Sequence, residues 1–242
     1  MKFVRIDIHA HVLPGVDHGA KDWDTSLDML VRSARCGVKT IIATPHHFPW
    51  EHNATKKEIC QLCIEARERL SDKYGILMDI YPGNEIYYGV DIVETLEKGK
   101  ALTLAGSRYV LVEFDQEDSY QTLRKAVREL RYNRYIPIIA HVERYYCMHN
   151  IEKIAELKEM GALLQVNVSS LQGGLFDARS NMTKGWLKQG VVDFVASDMH
   201  DLVERPPLSR DRLQWIQKKL HPQYQDKLLF SNAESIIQGM KA

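Results

Sequence analysis

Seven apolar runs of strand length punctuate this chain, and six of the seven run into a His, Asp or Glu at their C-terminal end. The runs are FVRIDI, KTIIAT, ILMDIYPG, SRYVLVEF, IPIIAH, ALLQVNV and VDFVAS. Their polar stops are His9 with His11, then His46, Glu85, Glu113, His141, and last Asp198 with His200. Segments of helical periodicity lie between the runs, so the strands must pair in parallel, each return crossover being taken up by a helix. An open parallel sheet would string these side chains along a line, and groups from the first, third, fifth and seventh strands would not meet. A closed barrel gathers them on one rim. The expectation is therefore an α/β fold, a seven-stranded variant of the (β/α)₈ barrel with its site at the C-terminal ends of the strands.

The helices carry their own stop signals. DTSLDMLVRSARCG reads as a helix with Asp24 as N-cap and Gly37 as its end, and Thr55 to Tyr74 as a second, closed by Gly75. Weaker periodicity covers Ile92 to Gly99. Tyr120 to Arg134, Ile151 to Met160, Thr183 to Gln189 and the chain from Leu208 onward are also expected to be helical. No internal repeat, low-complexity stretch or linker interrupts the series, and 242 residues are expected to form one domain.

Lys plus Arg equals Asp plus Glu at 32 each, so overall charge favours neither nucleic acid nor an anionic membrane. The N-terminal MKFVRIDIHAHVLPG lacks the apolar core of a signal peptide, and no stretch approaches the roughly 18 apolar residues of a membrane span. A cytoplasmic location is expected. Cys36, Cys60, Cys63 and Cys147 lack the spacing of a disulfide framework, and Cys60-x-x-Cys63 falls inside a helix, so all four are expected to be reduced packing residues.

His9 and His11, two residues apart at a strand end, share a face and can reach one ion. An H-x-H pair alone is a weak sign of metal. Repetition of the same grammar in ATPHHF, PGNEIYY, LVEF, IAHVER and ASDMH makes it a strong one. So many nitrogen donors and carboxylates exceed the four to six positions of one ion, which implies more than one, with Glu85 or Asp198 available as a bridge. Mixed imidazole and carboxylate ligation suits Mn, Fe or Zn. Arg144 and Arg205 flank the cluster, and guanidinium forks match phosphate oxygens. The plainer alternative pairs Arg144 with Glu143 or a helix carboxylate and leaves Arg205 in solvent. His47 is expected to turn away from the site, and His52, His149 and His221 to lie at the surface.

DIHAHVLPGVDHG, ATPHH, GNEIYY, LVEF, IAHVERY and VASDMHDLVERPP, in this order from residue 6 to about residue 207, resemble the bacterial metal-dependent protein-tyrosine phosphatases of the PHP (polymerase and histidinol phosphatase) superfamily. Those enzymes are associated with capsule and exopolysaccharide synthesis in Gram-positive bacteria. The resemblance implies a distorted seven-stranded PHP barrel with two to three divalent ions, Mn foremost and Fe or Zn as alternatives. It places His9, His11, Glu85 and Asp198 on one ion, Glu85, Glu113 and His141 on a second, and His46 and His200 on a third. The family's D-D-G turn reads Val16-Asp17-His18-Gly19 here, which offers His18 as a ligand, with Asp17 or solvent as alternatives. The resemblance also implies phosphotyrosine hydrolysis, and the chemistry of the site residues suggests attack by a metal-activated water, assisted by Arg144 and Arg205, with Asp198 or His200 as proton donors. The partner it implies is the tyrosine-rich tail of a bacterial tyrosine kinase. A small-molecule phosphoesterase such as a histidinol phosphatase would share the metals and differ in the walls, where Phe48, Trp50, Tyr87 and Tyr88 either stack on a phenyl ring or simply pack.

Overall fold

The computed structural model describes residues 4–174 and 176–239. Strand pairing is parallel throughout them, as the crossovers require. Among the described residues nine strands are present rather than seven: β1 (Arg5–Ala10), β2 (Val38–Ala43), β3 (His46–His47), β4 (Asp79–Pro82), β5 (Glu85–Tyr87), β6 (Tyr109–Glu113), β7 (Ile136–Ile139), β8 (Leu163–Asn167) and β9 (Phe194–Ala196). Phe3, counted in the first expected strand, lies outside the described residues. The two extra strands, β3 and β5, follow the second and third expected runs and are separated from them at Thr44-Pro45 and at Gly83-Asn84. Pro45 cannot donate to a ladder, and a glycine weakens a strand, so both sites break pairing.

The breaks divide the wall into two hydrogen-bonded sheets, ordered β1-β2-β4 and β3-β5-β6-β7-β8-β9. The short strands β3 and β5 carry His46 and Glu85 into the second sheet, where they sit opposite each other in register. The first and last strands meet at their C-terminal ends, Asp198 N donating to His9 O at 3.0 Å and His11 N to Met199 O at 2.9 Å. The barrel is thus distorted, and its first and last strands are joined at the rim that carries the polar side chains.

Helices return the chain along the outside: α1 (Trp23–Arg35), α2 (Lys56–Tyr74), α3 (Ile92–Glu97), α4 (Tyr120–Tyr132), α5 (Ile151–Glu159), α6 (Ala178–Gln189), α7 (Arg210–Lys219), α8 (Pro222–Asp226) and α9 (Asn232–Gln238). The N-cap of α1 is Asp22, not Asp24, because its Oδ1 accepts the Thr25 N–H at 2.8 Å; Asp24 sits in the first turn. Thr55 and Glu58 close a capping box on α2, and Gly75 ends that helix at φ 63°. Cys60 and Cys63 lie within α2, and all four cysteines are free.

Inside the barrel Ile6, Ile8, Ile42, Leu111, Ile138 and Phe194 form a core with Ala233 and Ile236 of α9. Asn232 of that helix donates to Asp193 O at the start of β9, so the C-terminal helix fills the end opposite the rim. The register of β1 against β2 slips between Asp7 and Ala10, an irregularity that lets Ile8 join the barrel core while the next residue, His9, joins the rim.

Candidate metal centre

The strand ends bring their polar side chains within hydrogen-bonding distance of one another. His9 and His11 stand at the end of β1, His46 on β3, Glu85 on β5, Glu113 at the end of β6, His141 two residues past β7, and Asp198 and His200 just past β9. His141 and Asp198 hold φ of 30° and 51°, left-handed values that cost a non-glycine residue free energy and cluster at functional sites. Three donor groups form, each with its ligand atoms within 4.8 Å: His9, His11, Glu85 and Asp198; His46, Glu85 and Glu113; His11, His46 and His200. Shared members make them one contiguous cluster.

Hydrogen bonds at the far nitrogens settle which lone pairs face inward. Gln165 Oε1 accepts from the His141 backbone N–H at 2.9 Å, and since that group can only donate, the amide orientation is fixed. The same oxygen lies 3.0 Å from His9 Nδ1, which must then carry its proton. His9 Nε2 is thereby directed at the cluster. His11 Nδ1 donates to Asp17 Oδ2 at 2.7 Å, and His200 Nδ1 to Asp198 O at 3.0 Å, with the same result. These are the outer hydrogen bonds that orient imidazole ligands.

The inward atoms of these side chains crowd one another. His9 Nε2 and His11 Nε2 are 3.2 Å apart, Glu85 Oε2 lies 3.0 and 3.3 Å from them, and Asp198 Oδ1 3.4 and 3.5 Å. With bonds of roughly 2.1 Å, neighbouring ligands around one ion sit about 3.0–3.4 Å apart, so these spacings suit a shared cation. His200 Nε2 and Glu85 Oε2 are buried without hydrogen-bond partners, the orphaned acceptors that a cation would satisfy. The donor set fits divalent metal.

Charge agrees with geometry. Burial alone would lower the His9 pKa, yet the Glu85 and Asp198 carboxylates outweigh it and hold it raised. Burial is likewise overcome at His11, raised to about 10 by Asp17 and Glu85. Glu85 is held well below the usual carboxylate range despite complete burial, by His9 and His46. Buried carboxylates so strongly ionised call for positive charge beside them. His200 goes the other way, lowered to about 2 by burial and by the neighbouring His11 charge, which keeps its imidazole neutral.

The arrangement places the remaining expected residues as follows. His141 Nε2 is 2.8 Å from Glu85 Oε1 and 3.8 Å from Glu113 Oε2, beside the donor groups. Arg144 Nη2 donates to Asp198 Oδ2 at 2.7 Å, so its partner is a rim carboxylate and not Glu143. Glu143 is buried and accepts from Asn167 N and Ser170 Oγ. The Arg205 guanidinium makes no hydrogen bond or ion pair among the described residues, while its backbone carbonyl accepts from His200 N at 2.8 Å.

His18 departs from expectation. It is exposed, outside all three donor groups, with its ring 6.3 Å from that of His46. The turn instead aims Asp17 inward, where it holds His11 Nδ1 and also accepts the His46 N–H at 3.1 Å. Gly19 permits this tight return, because a Cβ there would lie 2.3 Å from His11 O. His47 is buried and turned off the cluster, and His52, His149 and His221 are exposed.

Four residues of the site carried little signal in the sequence. Gln165 and Asn167 lie on β8, which corresponds to the one of the seven sequence runs without a His or acidic stop, and Asn167 Nδ2 donates to Asp198 Oδ2 at 2.7 Å. Gln165 Nε2 donates to Asn167 Oδ1 at 2.8 Å, so the pair links His9 to Asp198. Tyr145, fully buried, places its hydroxyl 3.3 Å from His141 Nδ1. Asp17, offered by the sequence only as an alternative to His18 as ligand, is the fourth. A polar residue facing inward at a strand end was the available clue for the β8 pair.

A family model described as capsular polysaccharide synthesis, CpsB/CapC, matches residues 5–238. The chain belongs to the CpsB/CapC family. It is 34% identical over 238 residues to the tyrosine-protein phosphatase CpsB of Streptococcus pneumoniae, covering 96% of this chain and 98% of that one. It is 31% identical to the tyrosine-protein phosphatase YwqE of Bacillus subtilis, covering 97% of this chain and 92% of that one. Among solved structures, one from work on Bacillus subtilis YwqE and Streptococcus pneumoniae CpsB, described as unique metal-dependent tyrosine phosphatases, superposes with a TM-score of 0.87 at 29% identity, covering 97% of this chain and 94% of the other. The Escherichia coli phosphotriesterase homology protein, at TM-score 0.62 and 12% identity, shares the fold.

Proposed function

We infer that this protein is a metal-dependent tyrosine phosphatase serving capsular polysaccharide synthesis. The observation that carries the reading is the contiguous cluster of inward-facing imidazole and carboxylate atoms with Arg144 seated on its edge, in a chain of this family. His9, His11, His46, Glu85, Glu113, His141, Asp198 and His200 are assigned as the metal ligands, with Asp17 as the group that orients His11. Two to three divalent ions are assigned to the cluster, Mn foremost. Bound there, they supply a hydroxide at neutral pH and positive charge for the phosphoryl oxygens.

The chain's own residues bind and orient the ester. Arg144 is held rigidly by Asp198 at 2.7 Å, leaving the rest of its fork for phosphate oxygens. Arg205, whose guanidinium forms no hydrogen bond or ion pair among the described residues, is the second assigned phosphate contact. Asp198 is kept ionised, its burial outweighed by His9 and Arg144, and the Nδ1 proton of His200 is committed to a backbone carbonyl. Neither holds a spare proton, so departure relies on the acidity of the tyrosine phenol, whose pKa is about 10.

The walls favour an aryl ester over an alkyl one. Phe48 stacks on His46 at 4.7 Å and 20°, Trp50 on Phe48 at 5.4 Å and 21°, and Tyr87 meets Trp50 edge-on at 4.7 Å. This aromatic wall runs from the cluster outward to Trp50, which is 63% exposed. Tyr88 is not part of it, being turned back to Phe114 and Glu129. The assigned substrate is a phosphorylated protein, the tyrosine-rich tail of a bacterial tyrosine kinase. No helix among the described residues is long and apolar enough to cross a membrane. The test is hydrolysis of a phosphotyrosine peptide and of histidinol phosphate by metal-stripped protein reloaded with Mn, Fe or Zn. Preference for the peptide is expected; turnover of histidinol phosphate alone would overturn the reading.

A further inference from the structure

A cavity of about 650 Å³ lies between the C-terminal end of α1, the segment 202–209 and the first turn of α7. Arg32, Arg35, Arg210 and Arg212 line it, and no carboxylate does. Among the described residues none of the four guanidinium groups forms an ion pair. Arg32 donates to Leu202 O at 3.1 Å, and on Arg212 burial acts without any opposing carboxylate, lowering its pKa.

Helix dipoles explain only half of this charge. Cations at a helix C-terminus are favourable, which accounts for Arg32 and Arg35 in the last turn of α1. Arg210 and Arg212 sit in the first turn of α7, where the dipole is positive and opposes them. Four unpaired cations around one cavity repel one another, and a bound anion removes that cost. The rest of the lining includes Leu202, Pro207 and Leu208, so the anion should be attached to an apolar body. The volume falls within the roughly 300–1,000 Å³ of small-ligand sites and far exceeds a bare phosphate.

We propose that this cavity is a second phosphotyrosine site, holding another phosphorylated tyrosine of the same substrate protein while one is hydrolysed at the metal centre. Guanidinium forks suit the phosphate, and the leucine and proline wall suits the ring. The assignment rests on the phosphotyrosine reading above. The cavity runs along the barrel wall from Leu202, two residues past His200, to Arg35 and Cys36 near the start of β1, so a flexible substrate segment is needed to reach both sites. A tethered second phosphotyrosine is presented at an effective concentration in the millimolar range, which raises apparent affinity with no new contact at the metals.

The test compares peptides bearing one phosphotyrosine with peptides bearing two, joined by a flexible linker of about ten residues that spans at most about 35 Å. For the metal-loaded wild-type protein the doubly phosphorylated peptide should show a KM lower by about tenfold, beyond the about twofold gain from having two reactive groups. Arg35→Gln/Arg212→Gln should reduce the advantage to about twofold while leaving kcat/KM for para-nitrophenyl phosphate unchanged. Arg35→Lys/Arg212→Lys should retain part of it, separating lost charge from local misfolding. Equal KM values for the two peptides, or an advantage that survives the glutamine variant, would overturn the proposal. So would inorganic phosphate stimulating para-nitrophenyl phosphate turnover in the wild type but not in the glutamine variant, which would assign the cavity to a free anion. Failure of the loaded protein to hydrolyse any aryl phosphate would instead sink the phosphatase reading, and this proposal with it.

Discussion

Replacing Gln165 by leucine should separate the ligands from what holds them. Gln165 is fully buried, touches no phosphate-binding arginine, and serves three partners: His9 Nδ1 at 3.0 Å, His141 N at 2.9 Å and Asn167 Oδ1 at 2.8 Å. Leucine fills much of the same volume and satisfies none of them. Each buried group left unpaired costs about 1–3 kcal/mol, partly offset by relaxation and by the added apolar burial, for a net loss of about 3–5 kcal/mol. For a domain of this size each kcal/mol moves the midpoint about 2–4 °C, so the metal-free protein should melt roughly 10 °C lower. Loss of the bond that fixes the His9 tautomer should also weaken metal binding by about 10–100-fold. The assays are thermal unfolding of the stripped protein and metal titration with a competing chelator. Gln165→Glu keeps the acceptor for His9 and His141 but sets a carboxylate oxygen against Asn167 Oδ1, so it should bind metal more tightly than the leucine variant. If Gln165→Leu bound metal as tightly as wild type, the tautomer reasoning would be wrong.

Arg144→Ala should lower kcat/KM on a phosphotyrosine peptide by about 100-fold, since charge-assisted phosphate contacts of this kind are worth about 1.5–3 kcal/mol and Asp198 also loses its partner; near-normal steady-state turnover would remove it from the phosphate clamp. His18→Ala should leave bound-metal content unchanged, whereas Asp17→Ala should weaken metal binding by about 10–100-fold, elemental analysis after dialysis being the measurement. Stripping metal with a chelator should lower the melting temperature, because ions that bind only the folded state at 100 times their Kd stabilise it by about 2.7 kcal/mol; an unchanged midpoint on reloading would argue against ligands gathered only by folding.

Much of this site was legible because barrel topology converts sequence position into spatial position. A polar residue at the C-terminal end of a parallel strand lands on the rim whatever its neighbours, so His9, His11, Glu85, Glu113, Asp198 and His200 could be picked from strand ends alone. His18 shows where that rule stops. It lies in a turn, where one residue of register decides which side chain faces inward, and Asp17 takes that place.

The sequence by itself determined the parallel α/β barrel, the order of the donors around its rim and the family, because hydrophobic periodicity and strand-end chemistry are local properties of the chain. Tertiary structure alone decided the rest. It added short strands past Pro45 and Asn84, set Gln165 and Asn167 behind His9 and Asp198, turned Arg144 onto Asp198, and brought four arginines from two distant helices around one cavity. Such pairings depend on distances between residues far apart in the chain, and glutamine, asparagine and arginine are too common on ordinary surfaces to announce them.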